Sequence, residues 1–480
     1  MIQKKTLIRL LKNVFIIVAL FILFYVLIYL FPMTYIFPSA DFSSAVAKIW
    51  FMSDTGFGKT PYWYSGYYPF LQYPPISSLL GAIIYKLIGN LGASLYLEII
   101  GFMILGFLGF LLLKKIRNWN LKETIIYYLI FFVNPLTLPW FFKIGRTNEL
   151  LGWILAIFSC YFIYKYKEKD LDKKFFLIII PLTLIIISHP VAFFLLMFPF
   201  LGLFISKLKK PKELLKIISV IVISLILTSF WWIPFFTVRV VESQYVEVFG
   251  EVLNKIKLER FYSIIFPLTA GLFLLTKRIS KYMSLPIILI SVLYITDAYM
   301  LFPLLNTIYA RSYAIMILLL LILEFKKEDL NKIWVLLLIG IIALAGFAVY
   351  NNPGNHYDPY AITKGDYKDY TDLFARNSPD SFIIISKYSY HPETLYSYAP
   401  VYFKYTTPLG WFYQEETKDL NLLKENLNSE NCSILSNSIN KLNVNLIFSD
   451  KCDIISNCII NFSKIDSQGE VCLYQKAKEK

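Results

Sequence analysis

Charge is what this chain has least of. Only 17% of its 480 residues are Asp, Glu, Lys or Arg, against 57% hydrophobic and 18% aromatic, and the mean hydropathy is +0.56. A soluble domain of that composition could not keep its surface in water, which excludes the cytosolic enzymes. Missing too is a small-residue cleavage site behind the first apolar run, Leu7 to Phe31, which is also too long for the core of a signal peptide. That run therefore stays in the chain as a spanning helix. The five cysteines match no zinc-ligand spacing, and no internal repeat is visible. The net charge of +14 would suggest nucleic acid if it lay on one soluble face. It does not: residues 351–480 hold 13 Lys+Arg against 16 Asp+Glu, so the surplus belongs to the apolar first 350 residues and no nucleic-acid partner is expected.

What fills residues 1–350 is a series of hydrophobic runs, each close to the ~20 residues a bilayer-spanning helix needs. Lys/Arg clusters separate them at 1–12, 114–122, 165–174, 207–216, 277–281 and 326–332, and the positive-inside rule puts all six in the cytoplasm. An even number of crossings must separate any two of them. The stretch 175–206 would be roughly 48 Å as one helix, too long for a ~30 Å core, so Ser188-His189-Pro190 reads as the outer tip of a hairpin of two short helices. The stretch 76–90, short and interrupted by Lys86, suits an amphipathic helix at the outer interface. About eleven spans result, near 7–31, 93–113, 121–141, 147–165, 175–187, 190–206, 214–234, 261–276, 282–298, 309–325 and 332–350. The expected protein is a polytopic α-helical protein of the cell membrane, with a cytoplasmic N-terminus and its C-terminal region outside.

Composition changes abruptly at Asn351-Asn352-Pro353-Gly354. Residues 351–480 are polar and turn-rich, with strand-like runs at 382–386, 444–448 and 471–474 around a helix near 416–427, which predicts a small exoplasmic α/β domain. Cys432, Cys452, Cys458 and Cys472 lie in it, as expected of two disulfides in an oxidising compartment, with three pairings open. Asn431-Cys432-Ser433 and Asn461-Phe462-Ser463 are sequons in the same domain.

The first outer loop, residues 32–75, is long and aromatic and contains carboxylates close to the membrane. Asp41 opens a short helical stretch, where a helix N-terminus favours the ionised carboxylate; as a cap it would need no catalytic role. Trp63, Tyr64, Tyr67, Tyr68 and Tyr73, with Tyr62, are rings that could stack on a sugar or an acceptor, although interfacial belts use the same residues.

Together these residues carry a resemblance. An aspartate just after the first span, then Pro61-Tyr62-Trp63-Tyr64-Ser65-Gly66-Tyr67-Tyr68-Pro69-Phe70 and Tyr73-Pro74-Pro75-Ile76, is similar to the first loop of the GT-C superfamily of polyprenyl-phosphate-dependent glycosyltransferases. Gly145 to Leu150, Ser188-His189-Pro190, Ser229 to Pro234 and Arg311 after Tyr309-Ala310 add to it, and residues 441–474 resemble the end of the family's outer domain. The chain most resembles the branch labelled membrane proteins related to 6-pyruvoyl-tetrahydropterin synthase, a label that implies no pterin chemistry. It lacks the Trp-Trp-Asp-Tyr-Gly motif of oligosaccharyltransferases, which weighs against transfer to sequon asparagine.

The resemblance implies an inverting transferase that moves a sugar from a polyprenyl or dolichyl phosphate to a glycan, lipid or protein acceptor outside the cell. Asp41 would be the catalytic base. Arg146, Arg311 and His189 would meet the phosphate, although each arginine could equally be an interfacial anchor. Asp54 and Glu149 could join Asp41 around a divalent cation, Mg2+ or Mn2+. Glu98, inside a span, is a functional candidate unless a cation such as Lys143 or Arg146 pairs with it, and Asp297 is expected to be solvated near a span end. A transporter or lipid flippase is the rival class. It would place its charges at the bilayer midplane rather than at the outer helix ends.

Overall fold

The computed structural model describes residues 40–66, 68–134, 136–137, 140–141, 145–234, 267–268, 270–271, 274, 279–296, 310–324, 364–387, 390–410 and 418–477. The expected spans 7–31 and 332–350, most of 261–276, the junction at 351–354, and Tyr67, Lys143 and Asp297 lie outside these residues, as does the side chain of Asp41.

Helix α1, Ala40–Thr55, follows the first expected span. It is packed against α2, Ile76–Ile88, whose 13 residues rise about 20 Å, short of a ~30 Å core. Gly89 closes α2 in the left-handed region, and Asn90 then caps α3, Leu91–Arg117, through its side-chain oxygen and the Ala93 amide. A capping box of Asn120 and Glu123 starts α4, Leu121–Phe132. Helix α5, Thr147–Tyr166, is the axis of the assembly: 83% of its apolar window is buried, against 44% for α3 and 50% for α7, Pro190–Lys207. Among the described residues these three are the helices long and apolar enough to cross a membrane. Shorter apolar helices surround them: α6, Ile179–Ile186, entered through a 3-10 turn at Lys173–Ile178; α8, Pro211–Leu227; α9, Lys281–Thr296; and α10, Ala310–Glu324.

The contacts fix the direction of travel. Ser77 bridges Glu98 of α3 to Thr147 of α5, and further along Gly106 packs on Ile154 and Gly109 on Ile157, so α3 and α5 run parallel. Arg311 of α10 pairs with Glu149 and Glu324 with Lys167, while His189 at the head of α7 lies on Gly152. Helices α3, α5, α7 and α10 therefore all start at one end of the bundle and finish at the other.

One expectation is corrected here. The span expected over 121–141 closes at Phe132, because Asn134 turns back to accept from the Leu136 amide and donates to the carbonyls of Ile130 and Phe131. The prolines at 135 and 139 have no amide hydrogen to continue a helix. Asp41 lies at the N-terminal end of the described part of α1. The stretch 175–206, by contrast, is broken at residues 187–189, between α6 and α7.

The C-terminal part has a hydrophobic core of its own, with Phe374, Phe382, Tyr405 and Phe448 in mutual ring contact. Its sheet has the order β1-β2-β4-β3, where β1 is Phe382–Ile385, β2 Leu446–Ser449, β3 Phe462–Gln468 and β4 Val471–Lys476. The β1–β2 pair is parallel and the others antiparallel. Five helices surround it: α11, Lys364–Arg376; α12, Tyr390–Phe403; α13, Lys418–Asn426; α14, Cys432–Leu442; and α15, Cys452–Cys458. Disulfides join Cys432 to Cys458 and Cys452 to Cys472. Asn431, of the first sequon, is the cap of α14.

This domain sits on the first loop. Thr407 donates its amide to the Tyr62 carbonyl at 3.0 Å and receives the Ser65 amide at 3.2 Å. The Trp63 indole donates to the Tyr396 carbonyl at 2.6 Å, and Lys404 lies 3.6 Å from the Trp50 ring centroid. Tyr64 and Ser65 both hold positive φ, 52° and 56°, a sparsely populated conformation for such residues that the bonds to Thr407 and Leu409 hold in place.

Candidate functional site

The first turn of α5, the first described turn of α10 and the tip of the α6–α7 hairpin meet at one place. Helices α5 and α7 present the positive ends of their dipoles there, together with amide groups that no intrahelical carbonyl can take. Glu149, in the first turn of α5, is the carboxylate such an N-terminus favours. Arg311 donates to it from the first described turn of α10, buried at 2% exposure, and Arg146 stands 3.9 Å from the same oxygen. Trp153 adds a longer bond, 3.4 Å, to the other Glu149 oxygen.

Both guanidiniums lie over one ring. The Arg311 Cζ is 3.9 Å and the Arg146 Cζ 4.6 Å from the centroid of Trp140, a residue the sequence analysis did not single out. The ring follows the early close of α4 and precedes Gly145, so in sequence it looks like one more interfacial aromatic. Stacking fixes each guanidinium plane, and Arg311 also donates to the Leu136 carbonyl at 3.5 Å.

Two glycines make the assembly possible. Gly145 has φ +76°, and a Cβ there would stand 3.0 Å from Phe42 Cδ2 and 3.4 Å from Phe42 Cα. The start of α1, next to Asp41, is thereby packed directly against the residue preceding Arg146. At Gly152 a Cβ would collide with the His189 side chain, so only glycine lets the hairpin tip approach α5.

Several buried polar atoms here have no hydrogen-bond partner among the described residues: His189 Nε2, Asn148 Oδ1 and Glu98 Oε2. Glu98 is 2% exposed, and its other oxygen accepts from Ser77 at 2.5 Å, which is in turn 2.5 Å from Thr147 Oγ1. That chain of hydroxyls ties Glu98 to the residue two before Glu149. Native proteins leave few buried polar atoms unpaired, so each of these three is a point where a polar group or a water would be taken up.

The structure thus brings Arg146, Arg311, His189 and Glu149 together, with the backbone of Asp41 one residue from the Phe42–Gly145 contact. It does not bring Asp54 there. Asp54 is exposed near the far end of α1, about 20 Å along the helix from Asp41, too far for both to hold one ion. Glu149 is committed to two arginines. The described residues therefore do not fit the expected Mg2+ or Mn2+ set, and among them no group of three or more His, Cys, Asp or Glu side chains could hold a metal.

The aromatic loop residues divide. Trp63 is fully buried, in edge contact with Phe51 at 4.7 Å, and bonded to Tyr396, so it clamps the loop to the C-terminal domain and offers no face to a sugar. Gly410 is packed on the Tyr64 ring, which places Tyr64 in the same seam. Tyr73 lies beneath the buried Lys48 ammonium, 3.6 Å from its centroid. Tyr68 is 48% exposed.

No family model matches the chain, and no curated protein matches its sequence. Six solved chains match in structure. One is the oligosaccharyltransferase of Archaeoglobus fulgidus in complex with Zn and sulfate, 12% identical, with a TM-score of 0.47; the alignment covers 92% of this chain and 69% of that one. A likeness that slight transfers no residue roles.

Proposed function

We propose that the protein is an integral-membrane inverting glycosyltransferase, moving a sugar from a polyprenyl or dolichyl phosphate to an acceptor outside the cell. The observation that carries this reading is the convergence of two guanidiniums, both ordered by the Trp140 ring, on the first turn of α5 beside Glu149. A phosphate diester has the charge and the oxygens that guanidiniums and a helix N-terminus recognise. Helix α1 meets this spot at Phe42, which supports Asp41 as the base.

In the proposed step the Asp41 carboxylate takes the proton of the acceptor hydroxyl as its oxygen attacks the anomeric carbon. The new carbon–oxygen bond forms on the face opposite the breaking bond to the phosphate oxygen, and the configuration inverts. The lipid phosphate leaves with an added negative charge. Arg311 and Arg146 are fixed in advance, so they stabilise that charge without reorganisation, and Glu149 keeps the Arg311 fork aimed. His189 supplies a neutral or charged ring nitrogen that has no partner among the described residues. The acceptor enters from the side of the outer domain, where Tyr68 is exposed. The assignment to the branch named above rests on the order of the motifs alone.

The transporter reading fares worse because Arg146, Arg311 and Glu149 gather at one end of the bundle rather than along its middle. Mass spectrometry of lipids that co-purify with the full chain tests the proposal. A polyprenyl or dolichyl phosphate-sugar should be enriched over bulk membrane lipid, and should be lost from Arg311→Ala. Repeated native extractions that yield none would overturn it.

A further inference from the structure

The opposite end of α3 carries a different feature. Along its outward side runs an open groove of about 870 Å³, lined by Leu105, Leu108, Leu112 and Phe158 and ending at Lys114, Lys115 and Trp119. From Leu105 to Lys115 the helix advances about 15 Å, half of a ~30 Å hydrocarbon core. The groove is therefore one leaflet deep, apolar along its length and cationic only at its mouth. Trp119 is 3% exposed and packs on Tyr127 at 4.6 Å between centroids, yet its indole N–H has no acceptor among the described residues. A buried donor left unpaired is destabilising unless a ligand supplies the acceptor.

From this geometry we infer that the groove is a binding site for one acidic phospholipid of the leaflet at the basic end of α3. An acyl chain lies along Leu105, Leu108, Leu112 and Phe158. The phosphodiester lies at the mouth, paired with the Lys114 and Lys115 ammonium groups and accepting from Trp119 Nε1. The occupant is a lipid because the apolar floor has the length of one leaflet and the charge sits where that leaflet's headgroups lie. It is acidic because two lysines flank a neutral N–H donor and the lining holds no carboxylate. The site shares no residue with the arginine cluster around Glu149 and does not depend on glycosyl transfer.

Native mass spectrometry of the full chain in detergent, titrated with phosphatidylglycerol or phosphatidylcholine, tests this. The wild-type chain should retain one phosphatidylglycerol under conditions that strip phosphatidylcholine, and inorganic phosphate should not displace it. Each headgroup-level lysine contributes to anionic-lipid affinity, so Lys114→Ala with Lys115→Ala should weaken retention by about 30-fold. Trp119→Phe keeps the ring and removes the donor, and should weaken it by about five-fold. Leu108→Trp, at a position 48% exposed and so harmless to folding, fills the groove and should abolish retention. Equal retention of the two lipids by the wild-type chain, unchanged retention in the lysine pair or in Leu108→Trp, or a dimer that excludes lipid would overturn the assignment.

Discussion

The two ends of the α5–α10 pair both bury ion pairs and build them from different cations. At the end where the helices finish, Lys167 meets Glu324 at 3.3 Å, and the Ser280 amide holds the other carboxylate oxygen at 2.8 Å. Nearby Lys207 meets Glu213 at 3.5 Å, Glu213 takes the Leu171 amide, and Lys210 meets Asp170. The cations in these pairs are lysines, each a point charge. At the end where the helices start, two arginines stack on the Trp140 ring and converge on Glu149. A lysine pair locks two helices together, whereas an ordered guanidinium plane suits bidentate recognition of an oxyanion. The comparison teaches that burial of charge does not mark function by itself, whereas the type and ordering of the cation does.

Changes at the two ends should separate chemistry from stability. The largest effect is expected from Asp41→Asn, which is nearly isosteric and keeps a short polar side chain at the same place in α1, but cannot accept a proton. Transfer from a lipid-linked sugar should fall by roughly 10² to 10⁴, the range for loss of a positioned general base, with donor binding little changed. Wild-type turnover in that variant, at matched protein levels, returns the loop to a structural role. Asp54→Asn, at the other end of the helix, is expected to leave transfer intact.

Glu324→Ala breaks the lysine end and leaves Lys167 buried without its counter-charge, which should cost about 3–5 kcal/mol of stability. Transfer per folded molecule should hold, since α10 presents Arg311 from its other end. A denaturation midpoint equal to that of the wild-type protein would mean that the Lys167 pair locks nothing. A smaller loss, about 1–3 kcal/mol, is expected from Trp63→Phe, which strands the Tyr396 carbonyl at the seam between loop and C-terminal domain. Its readout is proteolysis of the loop, which should speed up while the bundle keeps its melting temperature.

Much of this plan can be read from sequence because it follows local rules. Basic clusters mark helix ends, Ser188-His189-Pro190 marks a break, and the alternating runs at 382–386, 444–448 and 471–474 lie on strands β1, β2 and β4. The site was legible as a set of suspects and not as a network. Glu149 and Arg311 are 162 residues apart, so their pairing has no local signature, and Glu149 consequently looked like a metal ligand. Trp140 was hidden among interfacial aromatics, and Trp63 looked like a sugar platform because nothing in its neighbourhood shows that residues near 400 cover it. The early close of α4 was written in Asn134 and the prolines at 135 and 139, but an unbroken apolar composition masked it.

The central claim is that the arginine end holds the donor phosphate and the lysine end does not. Arg311→Lys and Lys167→Arg test it side by side, each preserving charge and its buried partner. The measurement is conversion of a radiolabelled polyprenyl-phosphate sugar at limiting donor by membranes with matched protein levels. Arg311→Lys, which loses the bidentate fork and the stack on Trp140, should lower transfer about ten-fold, and Lys167→Arg should change it less than two-fold. Full transfer by Arg311→Lys, or an equal loss in both variants, would contradict the account.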